Sequence, residues 1–246
     1  MSESVKRIKK DEALVVSSTR TLFIGKIASQ EENTELRKYL QSTDDVFEIY
    51  SFNETLYNVL FVIFFDLRTS ERVYEDLKEQ GKFVLYTISK YEIPRNGDRC
   101  DENKNQGTLL VMGRDLNEPL QEEELLALFQ THGKIRSVRD FKPFQKYLEF
   151  YDTRDAIKAF KSIDTTKYKN GYLSLKFFWD IPINTRWEMI KEVDNALKEM
   201  PILKEESDIK KEENGEKASK IYEKNVFLKA FDDFIVENLS HIEKWF

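Results

Sequence analysis

Three aromatic residues sit where alternation along a strand would turn each ring toward the open face of its sheet: Phe23 within residues 22–27, Phe61 within 57–64 and Tyr147 within 143–150. Flat rings on an open sheet stack on planar ligands such as nucleobases, at about 1–3 kcal/mol per base. Val59 and Gln145 hold the alternate positions two residues before Phe61 and Tyr147, and Glu149 the position two residues after Tyr147, so they are expected on the same faces. Around Tyr147 lie Arg136, Arg139, Lys142, Lys146 and Lys176, cations able to follow a phosphate backbone. Bases stacked on rings and phosphates tracked by cations make single-stranded RNA the expected partner.

The composition excludes several other chemistries. Cys100 is the only cysteine and His132 and His241 the only histidines, so neither a disulfide framework nor a Cys/His zinc site can be assembled. No metal or cofactor is expected. There is no H-E-x-x-H pattern and no Gly-rich phosphate loop, and the acidic run Glu122-Glu123-Glu124 suits the first turn of a helix, where carboxylates favour the dipole. Catalysis is not expected. The most apolar stretch, residues 59–65, is only strand-length, so no membrane span is expected. The net charge of −6 argues against a binder that relies mainly on phosphate neutralisation, leaving stacking and local patches to do so. An intracellular chain in nucleus or cytoplasm is expected, with the basic cluster Lys6, Arg7, Lys9 and Lys10 as a weak nuclear signal.

The elements that must position these residues come from an internal repeat. Thr21-Leu22 recurs at Thr108-Leu109, and Phe64-Phe65-Asp66-Leu67-Arg68 recurs at Phe150-Tyr151-Asp152-Thr153-Arg154. The offsets are 87 and 86 residues, too long for a solenoid unit and right for a duplicated domain. Each copy reads as strand, helix, strand, strand, helix, strand: 21–25, 31–40, 46–52, 59–65, 69–79 and 83–91, then 109–112, 121–131, 135–139, 146–151, 154–162 and 173–178. That order is the split βαβ, ferredoxin-like plait, an α+β fold. The divisions are a flexible basic N-terminus (1–17), a first plait (18–95), a polar linker (96–106), a second plait (107–182) and a C-terminal helical extension (183–246). The first plait has ten basic residues against thirteen acidic, while residues 107–180 have twelve against eleven, making the second the better anion binder.

The third strands align with the RNA-recognition-motif (RRM) octamer K/R-G-F/Y-G/A-F-V-x-F/Y, whose third and fifth positions face the ligand. Both octamers are degenerate: of the two ligand-facing positions, Tyr57-Asn58-Val59-Leu60-Phe61-Val62-Ile63-Phe64 keeps an aromatic only at the fifth, with Val59 at the third, and Pro143-Phe144-Gln145-Lys146-Tyr147-Leu148-Glu149-Phe150 likewise has Tyr147 at the fifth and Gln145 at the third. The segments Ser18-Thr19-Arg20-Thr21-Leu22-Phe23-Ile24, Phe65-Asp66-Leu67-Arg68, Ile93-Pro94-Arg95, Asn105-Gln106-Gly107-Thr108-Leu109 and Lys146-Tyr147-Leu148-Glu149-Phe150-Tyr151-Asp152 resemble the Mei-two-like RNA-binding proteins. The resemblance spans residues 18–180, and nothing in the chain resembles that family's C-terminal third RRM. It implies two tandem RRMs, a role in meiotic or developmental regulation through RNA, and Tyr147 on the RNA face.

The unbroken apolar run of residues 59–65 also fits burial on both faces, with the first sheet covered by another segment. The competing reading is therefore an RRM-fold protein-interaction module with little RNA affinity of its own. Thr185-Arg186-Trp187-Glu188 has the form of a capping box opening an amphipathic helix, whose stripe of Trp187, Ile190, Val193, Leu197 and Met200 is suited to docking on the second plait. Residues 204–217 read as a charged linker, and 219–243 as a last apolar-faced helix for docking, a protein partner or self-association.

Overall fold

A computed structural model describes residues 18–51, 57–93, 99–179 and 181–201. The basic N-terminal cluster, the charged stretch 204–217 and the expected helix 219–243 lie outside them. The first plait comprises β1 (Thr21–Gly25), α1 (Gln30–Gln41), β2 (Val46–Tyr50), β3 (Leu60–Phe64), α2 (Leu67–Glu79) and β4 (Phe83–Thr87). The second comprises β5 (Thr108–Arg114), α3 (Glu122–Phe129), β6 (Ile135–Lys142), β7 (Gln145–Phe150), α4 (Thr153–Ile163), a short β8 (Lys167–Tyr168) and β9 (Gly171–Phe178). A final helix, α5 (Ile183–Lys198), follows. The antiparallel sheets run β2-β3-β1-β4 and β6-β7-β5-β9-β8, so in each plait the first and third strands are central. This is the RRM arrangement, twice.

Local chemistry explains the helices. Ser29 caps α1 by accepting from the Glu32 N–H at 3.2 Å, and the Glu32 carboxylate reaches back to the Ala28 N–H at 2.7 Å. In α2, Leu67, Ser70, Val73 and Leu77 recur at helical spacing and are buried. Val73 and Leu77, with Leu36 and Leu40 of α1, close one face of the first sheet over Leu22, Ile24, Leu60, Val62 and Phe64. In the second plait Leu125, Phe129, Ala156 and Ala159 do the same over Leu109, Val111, Leu148 and Phe150.

The repeated Phe/Tyr-Asp-x-Arg segments form the seam between the plaits. The Leu67 N–H donates to the Tyr151 carbonyl and the Thr153 N–H to the Phe65 carbonyl, both at 3.0 Å, so equivalent corners pair about a local pseudo-twofold axis. Asp66 and Asp152 cap α2 and α4, accepting from the Arg68 and Arg154 N–H groups at 2.8 and 2.7 Å. Each carboxylate also holds the arginine two residues on. The guanidinium of Arg68 then lies 4.9 Å from the Tyr151 ring, and that of Arg154 lies 4.6 Å from the Phe65 ring, each crossing the seam. Arg20 adds a third tie, donating to the Phe150 and Tyr151 carbonyls at 2.8 and 3.0 Å and to the Gln106 carbonyl. Gly107 is required there: its φ is +84°, and a Cβ would lie 2.6 Å from both Arg20 Nη2 and the Phe150 oxygen.

The final helix departs from expectation in its start and its dock. It begins two residues before Thr185, with Pro182 at the N-cap position and no side-chain cap, so the capping box does not form. Its apolar face lies on the first sheet: Val193, Ala196, Leu197 and Met200 pack on Phe23, Tyr57 and Val59, with Phe61, Phe83 and Leu85 alongside. That face is lined with apolar side chains and has no other cover among the described residues, whereas the second sheet presents a mixed polar surface. Burial of apolar area therefore favours the first plait.

Candidate nucleic-acid interface

The first sheet does place its aromatics together. Phe23 pairs in register with Phe61 and Leu85, and the Phe23 and Phe61 rings lie 5.1 Å apart. Phe61 is half-buried and stacks on Tyr50 at 5.0 Å with an interplanar angle of 5°. Phe23 and Val59, however, are fully enclosed under α5. The stacking platform expected from these residues is closed, because the same apolar rings that could take bases satisfy a helix from their own chain.

The second sheet is open. Tyr147 pairs in register with Leu110 and Arg139, and Leu110 in turn with Lys176, so one face carries all four side chains. The Tyr147 ring sits between Phe141 at 5.1 Å and Phe178 at 4.7 Å. Those two rings are 47% and 38% exposed, the degree of exposure a stacking ligand requires. The Arg139 guanidinium lies 5.8 Å from the Tyr147 ring and the Lys142 ammonium 5.2 Å from the Phe141 ring. Lys176 is exposed, and half-buried Gln145 lies at the β6 end of the face, paired with Met112 and Lys142.

Three residues differ from the sequence reading. Lys146 pairs in register with the core residue Val111, is 9% exposed and bonds the Asp140 carboxylate, so it lies on the helix side of the sheet. It cannot track a backbone from there. Glu149, expected to face solvent, is buried and accepts from Arg136 Nη1 at 2.7 Å and Ser137 Oγ at 3.2 Å. Arg136 is thereby committed to a carboxylate on the Tyr147 side of the sheet, which it covers. Phe141 and Phe178 were missed because alternation was not carried to the strand ends: each lies two residues beyond a cation already placed on that face, Arg139 and Lys176.

The linker is not a loose tether where it is described. Asn105 is buried, and Trp179 Nε1 donates to the Lys104 carbonyl at 3.0 Å. Arg186, in the first turn of α5, stacks on Trp179 at 4.4 Å and donates to the Glu92 carbonyl at 3.0 Å. Both plaits, the linker and α5 meet at this point.

No family model matches the chain. Seven curated proteins match, all named MEI2-like. Protein MEI2-like 2 of Oryza sativa subsp. japonica is 27% identical over 160 residues, covering 64% of this chain and 18% of that protein. Protein MEI2-like 3 of Arabidopsis thaliana is 29% identical over 168 residues, covering 64% and 21%. The chain thus spans about a fifth of the length of the curated relatives it matches. Among solved structures, the RRM3 domain of Mip6 is 25% identical, covering 29% of this chain and 93% of that one at a TM-score of 0.27. On its strand order and on the residues it shares, the chain is a tandem pair of RRM plaits similar to part of the MEI2-like proteins.

Proposed function

We propose that the chain binds single-stranded RNA on the open sheet of the second plait, in the post-transcriptional handling of mRNA in nucleus or cytoplasm. Phe141, Tyr147 and Phe178 stack bases, Arg139, Lys142 and Lys176 meet phosphates, and Gln145 offers its amide to a base edge. The observation that carries this reading is the row of three adjoining rings, two of them well exposed, bordered by cations. A face of that kind is costly to leave bare in water unless it serves a ligand. With α5 seated, Phe23, Phe61 and Val59 hold the helix instead of RNA, so one plait of the two binds.

The test is a fluorescence-anisotropy titration of the full chain with short random single-stranded RNA at two salt concentrations. Tyr147→Ala should weaken binding by roughly five-fold or more, at about 1–3 kcal/mol per stacked base, and binding should weaken as salt rises. Full affinity in that variant, or no binding by the wild type, would end this reading. The second reading, a protein-interaction module, is favoured by the covered first sheet, which already receives an amphipathic helix. It would take over on that outcome.

A further inference from the structure

A groove of about 920 Å³ opens beside Phe178, walled by linker residues 99–102, the end of β9 and the start of α5. We propose that this groove takes a further nucleotide of the same RNA strand, so that the footprint of the second plait runs off the sheet, past Phe178, onto the linker. The proposal rests on the RNA reading above. Lys176 and Phe178 belong to both the sheet face and the groove, so the two surfaces are continuous. Exposed Ile183 and Phe178 give apolar surface for a base, and the volume lies within the range of about 300–1,000 Å³ usual for small-ligand sites.

The charge of the groove favours an anion. Arg99 is exposed on the linker wall and Lys176 on the sheet wall. Arg186 also lines the groove; it is buried, its Nε has no hydrogen-bond partner, and its charge-assisted bond goes to a carbonyl rather than a carboxylate. Burial pushes the carboxyl of Glu92 upward in pKa, against the bonds from Ser89 and the charge of Arg186. The two acidic residues in the wall are already engaged. Asp101 accepts from the Asn103 and Lys104 N–H groups at 3.0 and 3.1 Å, and Glu102 pairs with Lys161 at 2.6 Å. The aromatic sheet leads into a place with apolar walls and cations on two sides, which suits a base and its phosphate.

The experiment compares fluorescein-labelled oligouridylates of four and eight nucleotides on the full chain. The proteins are wild type, the groove variant carrying both Arg99→Ser and Ile183→Ser, and Tyr147→Ala. Arg99 and Ile183 are exposed, so the fold tolerates their change. The groove variant should lose about five-fold on the longer oligomer and nothing on the shorter. Its salt slope should shrink by roughly 0.7 for each phosphate that it no longer neutralises. If it binds both lengths like wild type while Tyr147→Ala weakens both, the groove assignment is wrong and the sheet assignment stands. If Tyr147→Ala also changes nothing, or wild type binds neither oligomer, both are wrong.

Discussion

Leu197→Asp should lift α5 from the first sheet without unfolding either plait. Leu197 is 8% exposed and packs among Phe23, Val59 and Val193. Truncating a buried leucine costs about 2–5 kcal/mol, and an unpaired carboxylate in the same apolar place adds to that. What opposes the loss is a single helix: Met189, Ile190, Val193, Ala196 and Met200 remain, and the N-terminus of the helix has no side-chain cap. The sheet itself keeps its other face packed by α1 and α2. Hydrogen exchange read by mass spectrometry should therefore show protection lost over residues 183–201, and kept in α2, in β1, whose backbone bonds run to β3 and β4 rather than to α5, and throughout the second plait. With Phe23 and Phe61 bared, RNA affinity should rise by roughly five-fold or more, at about 1–3 kcal/mol per base, and adding Phe61→Ala should remove the gain. Cooperative loss of protection across the whole first plait would refute the reasoning, because α5 would then belong to that plait's core. Unchanged exchange would refute it equally.

Three further outcomes follow from particular contacts. Lys146→Met should leave RNA affinity within error of wild type in the same anisotropy assay, since its ammonium serves Asp140 on the helix side of the sheet. Gly107→Ala should destabilise the chain by about 2 kcal/mol or more in urea denaturation, combining left-handed backbone strain with displacement of Arg20 from the seam. For Asp66, burial pulls the carboxyl upward, but the bonds from the Arg68 side chain and N–H together outweigh it and hold the carboxyl below its ordinary value. A depressed value in the folded state means the contribution is present above the ordinary carboxylate range and is lost as pH falls through the folded value. Thermal midpoints of wild type and Asp66→Asn should thus differ near neutrality and converge below about pH 4, asparagine still serving as a cap. A constant difference across that range would show that the Asp66 charge contributes nothing.

The duplicated plait was legible because its signals are local. Strands rich in branched and aromatic residues, amphipathic helices, and the doubled Asp-x-Arg corner are properties of short windows, and their order alone specifies the strand-helix-strand-strand-helix-strand pattern. Tyr147, Arg139 and Lys176 were equally readable, since alternation along a strand decides the face of a side chain. Lys146 and Glu149 obey that rule and show what it leaves out, the partners and exposure of a side chain. Lys146 lies on the helix side, as alternation against Tyr147 requires, and its charge is met there by Asp140; Glu149 lies on the Tyr147 side but is buried beneath Arg136.

The same corner motif shows what a linear pattern leaves open. Read along the chain, Phe65-Asp66-Leu67-Arg68 and Tyr151-Asp152-Thr153-Arg154 are evidence of duplication; in three dimensions they are the surfaces by which the copies hold each other. The docking of α5 is the sharper case. Its apolar stripe was evident from spacing, but a stripe states only that a helix needs a cover, and two sheets in the chain offered one. The choice of the first followed from the apolar face that the rest of its plait leaves uncovered and from the Arg186 anchor on the Glu92 carbonyl, both defined only once the chain is folded. Sequence by itself thus determined that there are two plaits and which strand faces carry rings. Only the tertiary structure decided which face stays open, because exposure depends on what residues distant in the chain bring to lie above it.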